Sequence, residues 1–127
     1  MDSRAGRPLR RQPGKFYDGL IRAAREFAEH EFRLSNNGLR EHLEAVWRQT
    51  GKRPAQLDGP ALPDCVRHVW GWFLDLHGSR GEGGINYAEL LAWAQLNELT
   101  PTPFEIRLLR ELDRAFLAYR VTQLKGA

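Results

Sequence analysis

The sequence predicts an all-α protein of about five helices. Apolar residues recur at spacings of three and four in several segments, which is the period of one helix face. No segment shows the sustained alternation of apolar and polar residues that is typical of a half-buried strand. Runs rich in glycine, proline and asparagine separate the periodic segments. The predicted arrangement is an N-terminal helical hairpin, a central helix–turn–helix and a C-terminal packing helix.

The first fourteen residues, 1–14, are predicted to form a disordered basic arm, because they contain prolines and glycines and show no apolar period. Residues 1–15 hold five basic side chains against one acidic one, so the net charge of +3 belongs to this end of the chain. Such an arm can reach an acidic partner or nucleic acid. Its candidate phosphate contacts are Arg4, Arg7, Arg10 and Arg11. No aromatic side chain is interleaved with them for base stacking, which argues against nucleic acid as the partner.

Residues 15–127 are predicted to form a single helical domain that begins with a hairpin over 15–50. Its first helix carries an apolar stripe and ends at the turn-forming run Ser35–Gly38. The stripe consists of Tyr17, Leu20, Ile21, Ala24, Phe27 and Ala28. A shorter helix follows, from about Leu39 to Gln49. Residues 51–62, rich in glycine and proline, are predicted to link the hairpin to helices over 63–122.

The central unit surrounds Val66–Ala94, which holds three of the four tryptophans. Pro63 is predicted to open its first helix, because a proline in the first turn loses no needed hydrogen bond. The glycine-rich run 78–84 ends that helix, since each glycine costs about 1 kcal/mol relative to alanine.

Two capping boxes predict the starts of the remaining helices. Asn86 and Glu89 have the spacing in which each side chain bonds the backbone of the other residue, and Thr102 and Glu105 repeat it. The helix after Asn86 is predicted to face the core with Tyr87, Leu90, Leu91 and Ala94. The last helix is predicted to run from Pro103 to about Thr122.

No constellation of residues indicates catalysis, a metal site or a cofactor. The segment Gly78–Glu89 has the spacing of an EF-hand loop, but Gly78 and Arg80 occupy positions where calcium needs carboxylates. His68 and His77 lie two helical turns apart, too far to share one zinc ion. We therefore predict that the chain is not an enzyme and needs neither metal nor cofactor.

The sequence is typical of a cytoplasmic protein. A single cysteine, Cys65, excludes an internal disulfide and fits a reducing compartment. No apolar run approaches the ~20 residues of a membrane span. The N-terminus lacks the apolar segment of a secretory signal.

The aromatic residues of the central unit are either core or contact surface. The helix that carries Trp70, Trp72 and Phe73 is apolar on nearly all sides, so it is either deeply buried or keeps one face for another chain. Tryptophan is enriched among residues that dominate protein interfaces. We predict a contact surface at these residues and Trp93, with burial in the core as the alternative.

The central and C-terminal helices resemble the tail assembly chaperones of long-tailed bacteriophages. The shared pattern is a tryptophan–aromatic helix, an Arg/Gly turn, an Ile-x-Tyr-x-Glu-φ-x-Ala-Trp helix, and a closing helix that ends in Leu-Asp-x-Ala-aromatic-Leu. It is carried by Trp70, Trp72, Phe73, Leu76, Arg80, Ile85, Tyr87, Glu89, Ala92, Trp93, Glu105, Leu109, Leu112, Asp113, Ala115, Phe116 and Leu117. The resemblance covers about Pro63–Tyr119.

The resemblance implies a non-virion protein of the host cytoplasm that binds the tape-measure protein, keeps it soluble and recruits tail-tube subunits. A long apolar client needs apolar surface on its chaperone, such as a groove between helices. We place this protein-binding site at Trp70, Trp72, Phe73, Trp93 and Arg80. Asp113 is expected to pair with Arg80 or Arg67. Homo-oligomers of the chain are also compatible with the sequence.

Two other functions are compatible with the sequence. A small phage or bacterial protein that binds and inhibits a host complex would need a folded surface of one charge sign, whereas the body of this chain is near neutral. A nucleic-acid-binding module would use the basic arm, and its affinity would fall steeply with salt.

Overall fold

A computed structural model describes residues 11–81 and 83–126, and these residues form the predicted all-α fold. The helices are α1 (Arg11–Ser35), α2 (Leu39–Thr50), α3 (Arg67–Gly78), α4 (Tyr87–Leu96) and α5 (Pro103–Gly126). No strand occurs in the described ranges. Because α1 begins at Arg11, it takes in the last residues of the predicted arm, and residues 1–10 lie outside the described residues.

The turn between α1 and α2 lies at the predicted position. Asn37 and Gly38 adopt left-handed backbone conformations with φ of 54° and 67°, which only glycine and asparagine enter readily. Gly51, with φ of 75°, ends α2 in the same way, and its N–H donates to the carbonyl of Trp47 at 2.8 Å. These left-handed residues end both hairpin helices.

The core lies where α1 and α3 pack against α5. Its largest fully buried side chains are Phe73, Leu108, Leu109, Leu112, Val66 and Val69. From α1, the buried stripe residues are Ile21, Ala24 and Ala28, whereas Tyr17 lies at the edge and stacks on Phe104 at 4.3 Å. The long helices α1 and α5 therefore form the platform on which α3 lies.

The linker 51–62 is packed on α1 rather than standing away from it. Leu62 is buried in the core, and the Nε2–H of His30 donates a hydrogen bond to the carbonyl of Gln56 at 3.0 Å. At Gly59 a Cβ atom would fall 2.3 Å from His30 Nδ1, so only glycine allows this close approach.

Both capping boxes are confirmed, and the start predicted at Pro63 is corrected. The Glu89 N–H donates to Asn86 Oδ1 at 2.8 Å and the Glu105 N–H donates to Thr102 Oγ1 at 3.1 Å, each with its reciprocal bond. Pro63 precedes a 3₁₀ turn over Asp64–Val66, and the α-helix begins only at Arg67.

The prediction for the buried face of α4 is wrong at two positions. Leu90 and Ala94 are buried, but Tyr87 and Leu91 are 64% and 60% exposed. Apolar residues surround most of this helix, so its sequence period does not indicate which side is covered. Tyr87 and Leu91 lie one turn apart on an exposed side of α4, where the Arg110 guanidinium of α5 lies 4.3 Å above the Tyr87 ring.

Candidate protein-binding surface

The tryptophans of α3 point to opposite sides of that helix. Two positions along a helix correspond to a rotation of about 200°. Trp70 packs towards α1, edge-on to Phe27 at 5.2 Å between ring centres. Trp72 packs towards α4, with its ring centre 5.7 Å from that of Trp93. The three tryptophans therefore do not line one groove, and Trp70 belongs to the α1 side.

Two other predicted contact residues are buried. The Phe73 side chain has 0% exposure and stacks on Trp70 at 5.5 Å between ring centres. The Arg80 side chain is 6% exposed. Neither side chain is open to a partner in this structure, so we assign Phe73 to the core and Arg80 to the support of the neighbouring turn.

The Trp72–Trp93 pair is held in place by polar contacts at its edges. The Nε1–H of Trp93 donates to Asp75 Oδ2 at 2.8 Å. His68 lies edge-on to Trp72 at 4.9 Å between ring centres, and its Nε2 is 2.6 Å from Glu105 Oε2. Both indoles are partly buried against the core. Trp93 is thus a preorganised aromatic wall rather than a mobile side chain.

Two apolar grooves flank the outer side of α4. The α3-side groove, of 280 Å³, is lined by Leu76, Ser79, Ile85, Glu89, Ala92, Trp93, Leu96 and Asn97. The α5-side groove, of 420 Å³, is lined by Tyr87, Leu90, Leu91, Ala94, Gln95, Leu99, Thr100, Pro101 and Ile106.

Between these grooves α4 presents a low, exposed crest. The crest residues Ala88 and Ala92 are exposed, and Leu91 and Leu96 rise on its two sides, with Leu96 85% exposed. We call Tyr87, Ala88, Leu91, Ala92, Trp93 and Leu96, together with both grooves, the α4 surface. Exposed apolar side chains grouped on one surface mark an interaction site more often than isolated exposed residues do.

A buried ion pair fixes the turn that leads into α4. Asp113 of α5 is 5% exposed and pairs with Arg80, and its Oδ2 accepts the backbone N–H of Ile85 at 2.8 Å. The Arg80 Nη1 donates to the carbonyl of Gly83 at 3.2 Å. The expected partnership of Asp113 is therefore confirmed with Arg80, while Arg67 pairs with Asp64 at 2.7 Å.

His77 lies beside this ion pair, between two aromatic rings. Its ring stacks on Phe73 at 5.5 Å and meets Phe116 edge-on at 4.3 Å between centres. Nδ1 is buried without a hydrogen-bond partner among the described residues. Burial lowers the pKa of His77 below its usual 6.5, and the charges of Arg80 and Arg120 lower it further.

We expect His77 to make the fold less stable in mild acid. When the pH falls through 6.5, His77 takes up a proton more readily in the unfolded chain than in the folded protein, where its pKa is lower, so the free energy of unfolding decreases. Well above that pH His77 is neutral in both states, so the free energy of unfolding no longer changes with pH through this group. Urea denaturation at about pH 7.5 and about pH 5.5 measures it. From the higher to the lower of these pH values, the free energy of unfolding should fall less for His77→Phe than for wild type. An equal fall in the two proteins would contradict this assignment.

Two further kinds of site are absent from the part of the chain that the structure describes. No group of three or more His, Cys, Asp and Glu side chains among them could hold a metal ion. No helix in the described ranges is both long and apolar enough to cross a bilayer. The arm residues Arg4, Arg7 and Arg10 lie outside the described residues, and the side chain of Arg11 does too.

The comparison with protein families confirms the resemblance seen in the sequence. The family model described as phage tail assembly chaperone matches residues 46–118, more than half of the chain. No curated protein and no solved structure matches the chain. The matched range contains the whole of α3 and α4, both grooves and the Arg80–Asp113 pair, whereas α1 precedes it.

Proposed function

Since this chain belongs to the phage tail assembly chaperone family, we propose that it binds the tape-measure protein, tail-tube subunits or both through the α4 surface. The observation that carries this proposal is the exposed apolar outer side of α4 between its two grooves. The family role is assembly rather than catalysis. The protein would act in the host cytoplasm while the tail is built, and would not remain in the virion.

The size of the exposed leucines supports the α4 surface as the client site. Leu91 and Leu96 keep most of their side-chain area in water, and burying one leucine fully contributes about 1.5–3 kcal/mol. Trp93, held by Asp75, gives the α3-side groove a rigid wall at little further entropic cost. An apolar client would therefore gain several contacts without reordering the chaperone.

The residues predicted to form the site have three different roles in this proposal. Trp93 contacts the client, and Trp72 supports Trp93 from behind. Trp70 and Phe73 hold α3 against the core. Arg80 positions α4 through its pair with Asp113, so it influences binding without touching the client.

Replacing Leu91 and Leu96 together by glutamine should weaken client binding while the chaperone stays folded. Glutamine keeps helix propensity, and both side chains are exposed. Removing two leucines that the client would bury costs more than ~1.4 kcal/mol of binding free energy, which corresponds to a tenfold change in affinity. The expected loss of affinity is therefore at least about tenfold. The measurement is the soluble yield of the tape-measure protein of the same phage, and the amount that co-purifies, when the two proteins are co-expressed.

A matched control uses two exposed leucines outside both grooves. Leu74→Gln/Leu124→Gln makes the same chemical change at exposed positions of α3 and α5. This variant should solubilise the client as well as wild type does. Equal performance of the two double variants would show that the client binds elsewhere. Circular dichroism of each purified variant checks that its helices remain.

A further inference from the structure

We propose that the α4 surface takes a basic amphipathic helix, with its apolar stripe over the crest of α4 and lysine or arginine side chains along the α3-side groove. This inference rests on the proposed function, and it names the chemical class of the client segment. Three features carry it: the shape of the crest, the two grooves beside it, and the charges at their rim.

The shape of the surface suits an α-helix better than an extended strand. Ala88 and Ala92 stand one turn apart on the crest and are exposed, so another backbone can approach closely beside them. The exposed Gln95 follows less than a turn further along the same face. Side chains at positions i and i+3 or i+4 of a docked helix lie on one face, and they can enter the grooves on the two sides of the alanines. The ten residues of α4 extend over about 15 Å, which matches roughly three turns of a partner.

The rim of the α3-side groove is acidic. Glu89 is among the residues that line it, Asp75 is bonded to its Trp93 wall, and the exposed Glu98 directly follows the lining residue Asn97. No Lys, Arg or His is among the described residues that line either groove. An apolar groove with carboxylates at its edge favours a partner that brings positive charge.

Among the described residues these carboxylates form no ion pair with a cation of this chain, although Glu89 lies within electrostatic range of the buried Arg80. Glu89 Oε1 accepts the Asn86 N–H in the capping box, and Asp75 Oδ2 accepts from Trp93. Within the described residues no Lys or Arg forms an ion pair with Asp75, Glu89 or Glu98. On the opposite side of α4, the guanidinium of Arg110 lies 4.3 Å above the Tyr87 ring. The charge asymmetry orients the basic flank of the partner towards the α3-side groove.

Two synthetic peptides of about 18 residues, five helical turns, test this inference on the full chain. Both carry the same stripe of leucines, and their remaining positions are lysine in one and glutamate in the other. Calorimetric titration should give at least about tenfold tighter binding for the Leu/Lys peptide, with a preference that shrinks as salt rises. Equal affinities, or no binding of either peptide, would overturn the inference.

A double variant separates the rim from the overall charge of the protein. Asp75→Asn keeps an oxygen that can accept from Trp93, and Glu89→Gln keeps the capping box. The double variant Asp75→Asn/Glu89→Gln should therefore keep its fold and lower the preference for the Leu/Lys peptide. The expected decrease is at least about threefold, roughly the effect of one ion pair. Glu26→Gln/Glu41→Gln changes the net charge equally at exposed positions and should leave it unchanged. The same preference in both variants would contradict the assignment of the rim.

The outcomes distinguish this inference from the proposed function. If the tape-measure protein is solubilised through Leu91 and Leu96 but the peptides bind equally, the α4 surface binds a client that is not a basic helix. If Leu91→Gln/Leu96→Gln has no effect on co-expression, the proposed function of this surface is itself wrong. A dimer in sedimentation that this variant dissociates, without peptide binding, would assign the surface to a second copy of the chain and overturn the inference.

Discussion

Replacing Asp113 by alanine should lower the free energy of unfolding by about 3–5 kcal/mol, because removing one partner of a buried pair leaves the other charge uncompensated. Both side chains are almost fully excluded from water. The variant also loses the acceptor of the Ile85 N–H, which is buried and bonded at 2.8 Å. Urea denaturation followed by tryptophan fluorescence measures the change.

Two comparisons isolate the ion pair as the cause. Asp64→Ala removes the carboxylate of the exposed pair with Arg67, and a surface pair contributes only about 0–1 kcal/mol. The double variant Arg80→Leu/Asp113→Leu removes both charges, so it should be more stable than Asp113→Ala alone. A loss for Asp113→Ala no larger than that for Asp64→Ala would contradict the role of the pair in fixing the turn before α4.

Phe73→Ala should lower the free energy of unfolding by about 3–5 kcal/mol, because it opens a cavity in a close-packed core. The ring has 0% exposure, and its centre lies 6.1 Å from that of Phe32 and 5.5 Å from that of Trp70. It therefore joins α3 to α1 in the middle of the molecule. Thermal and urea denaturation of the purified variant give the change.

The matched control for Phe73 is Phe16, an exposed phenylalanine of α1. Phe16→Ala should change the free energy of unfolding by no more than about 0.5 kcal/mol, as is usual for surface substitutions. This pair of variants decides between the two roles that the sequence allowed for Phe73. A Phe73→Ala protein that is as stable as wild type but fails to bind the client would return Phe73 to the contact surface.

The local features of this fold could be predicted because a few neighbouring residues determine them. A capping box depends on side chains three positions apart, so Asn86 with Glu89 and Thr102 with Glu105 identify helix starts from the sequence alone. The left-handed turn at Asn37 and Gly38 follows from residue types that tolerate positive φ. Pro63 misled the prediction because a proline also suits a 3₁₀ turn, whose first residues need no N–H donor.

The candidate site could be predicted only in part. The Arg80–Asp113 pair was one of two alternatives in the sequence, since spacing along the chain does not distinguish Arg80 from Arg67 as the partner. The placement of Trp70 and Trp72 on opposite sides of α3 could be predicted from the sequence, since they are about 200° apart around a helix. The exposure of Leu91 could not be predicted from the sequence, because α4 is apolar on almost every side. Only the packing of α3 and α5 determines which side is covered.

Hydrogen exchange of the chaperone, free and in complex with the tape-measure protein, tests the central claim most directly. We expect binding to slow exchange in peptides that cover α4 and the following loop, residues 87–101, and to leave the hairpin over residues 15–50 unchanged, because a docked client would suppress local opening of α4. Protection confined to the hairpin, or no change in residues 87–101 in a complex that forms, would contradict the assignment of the α4 surface as the client site.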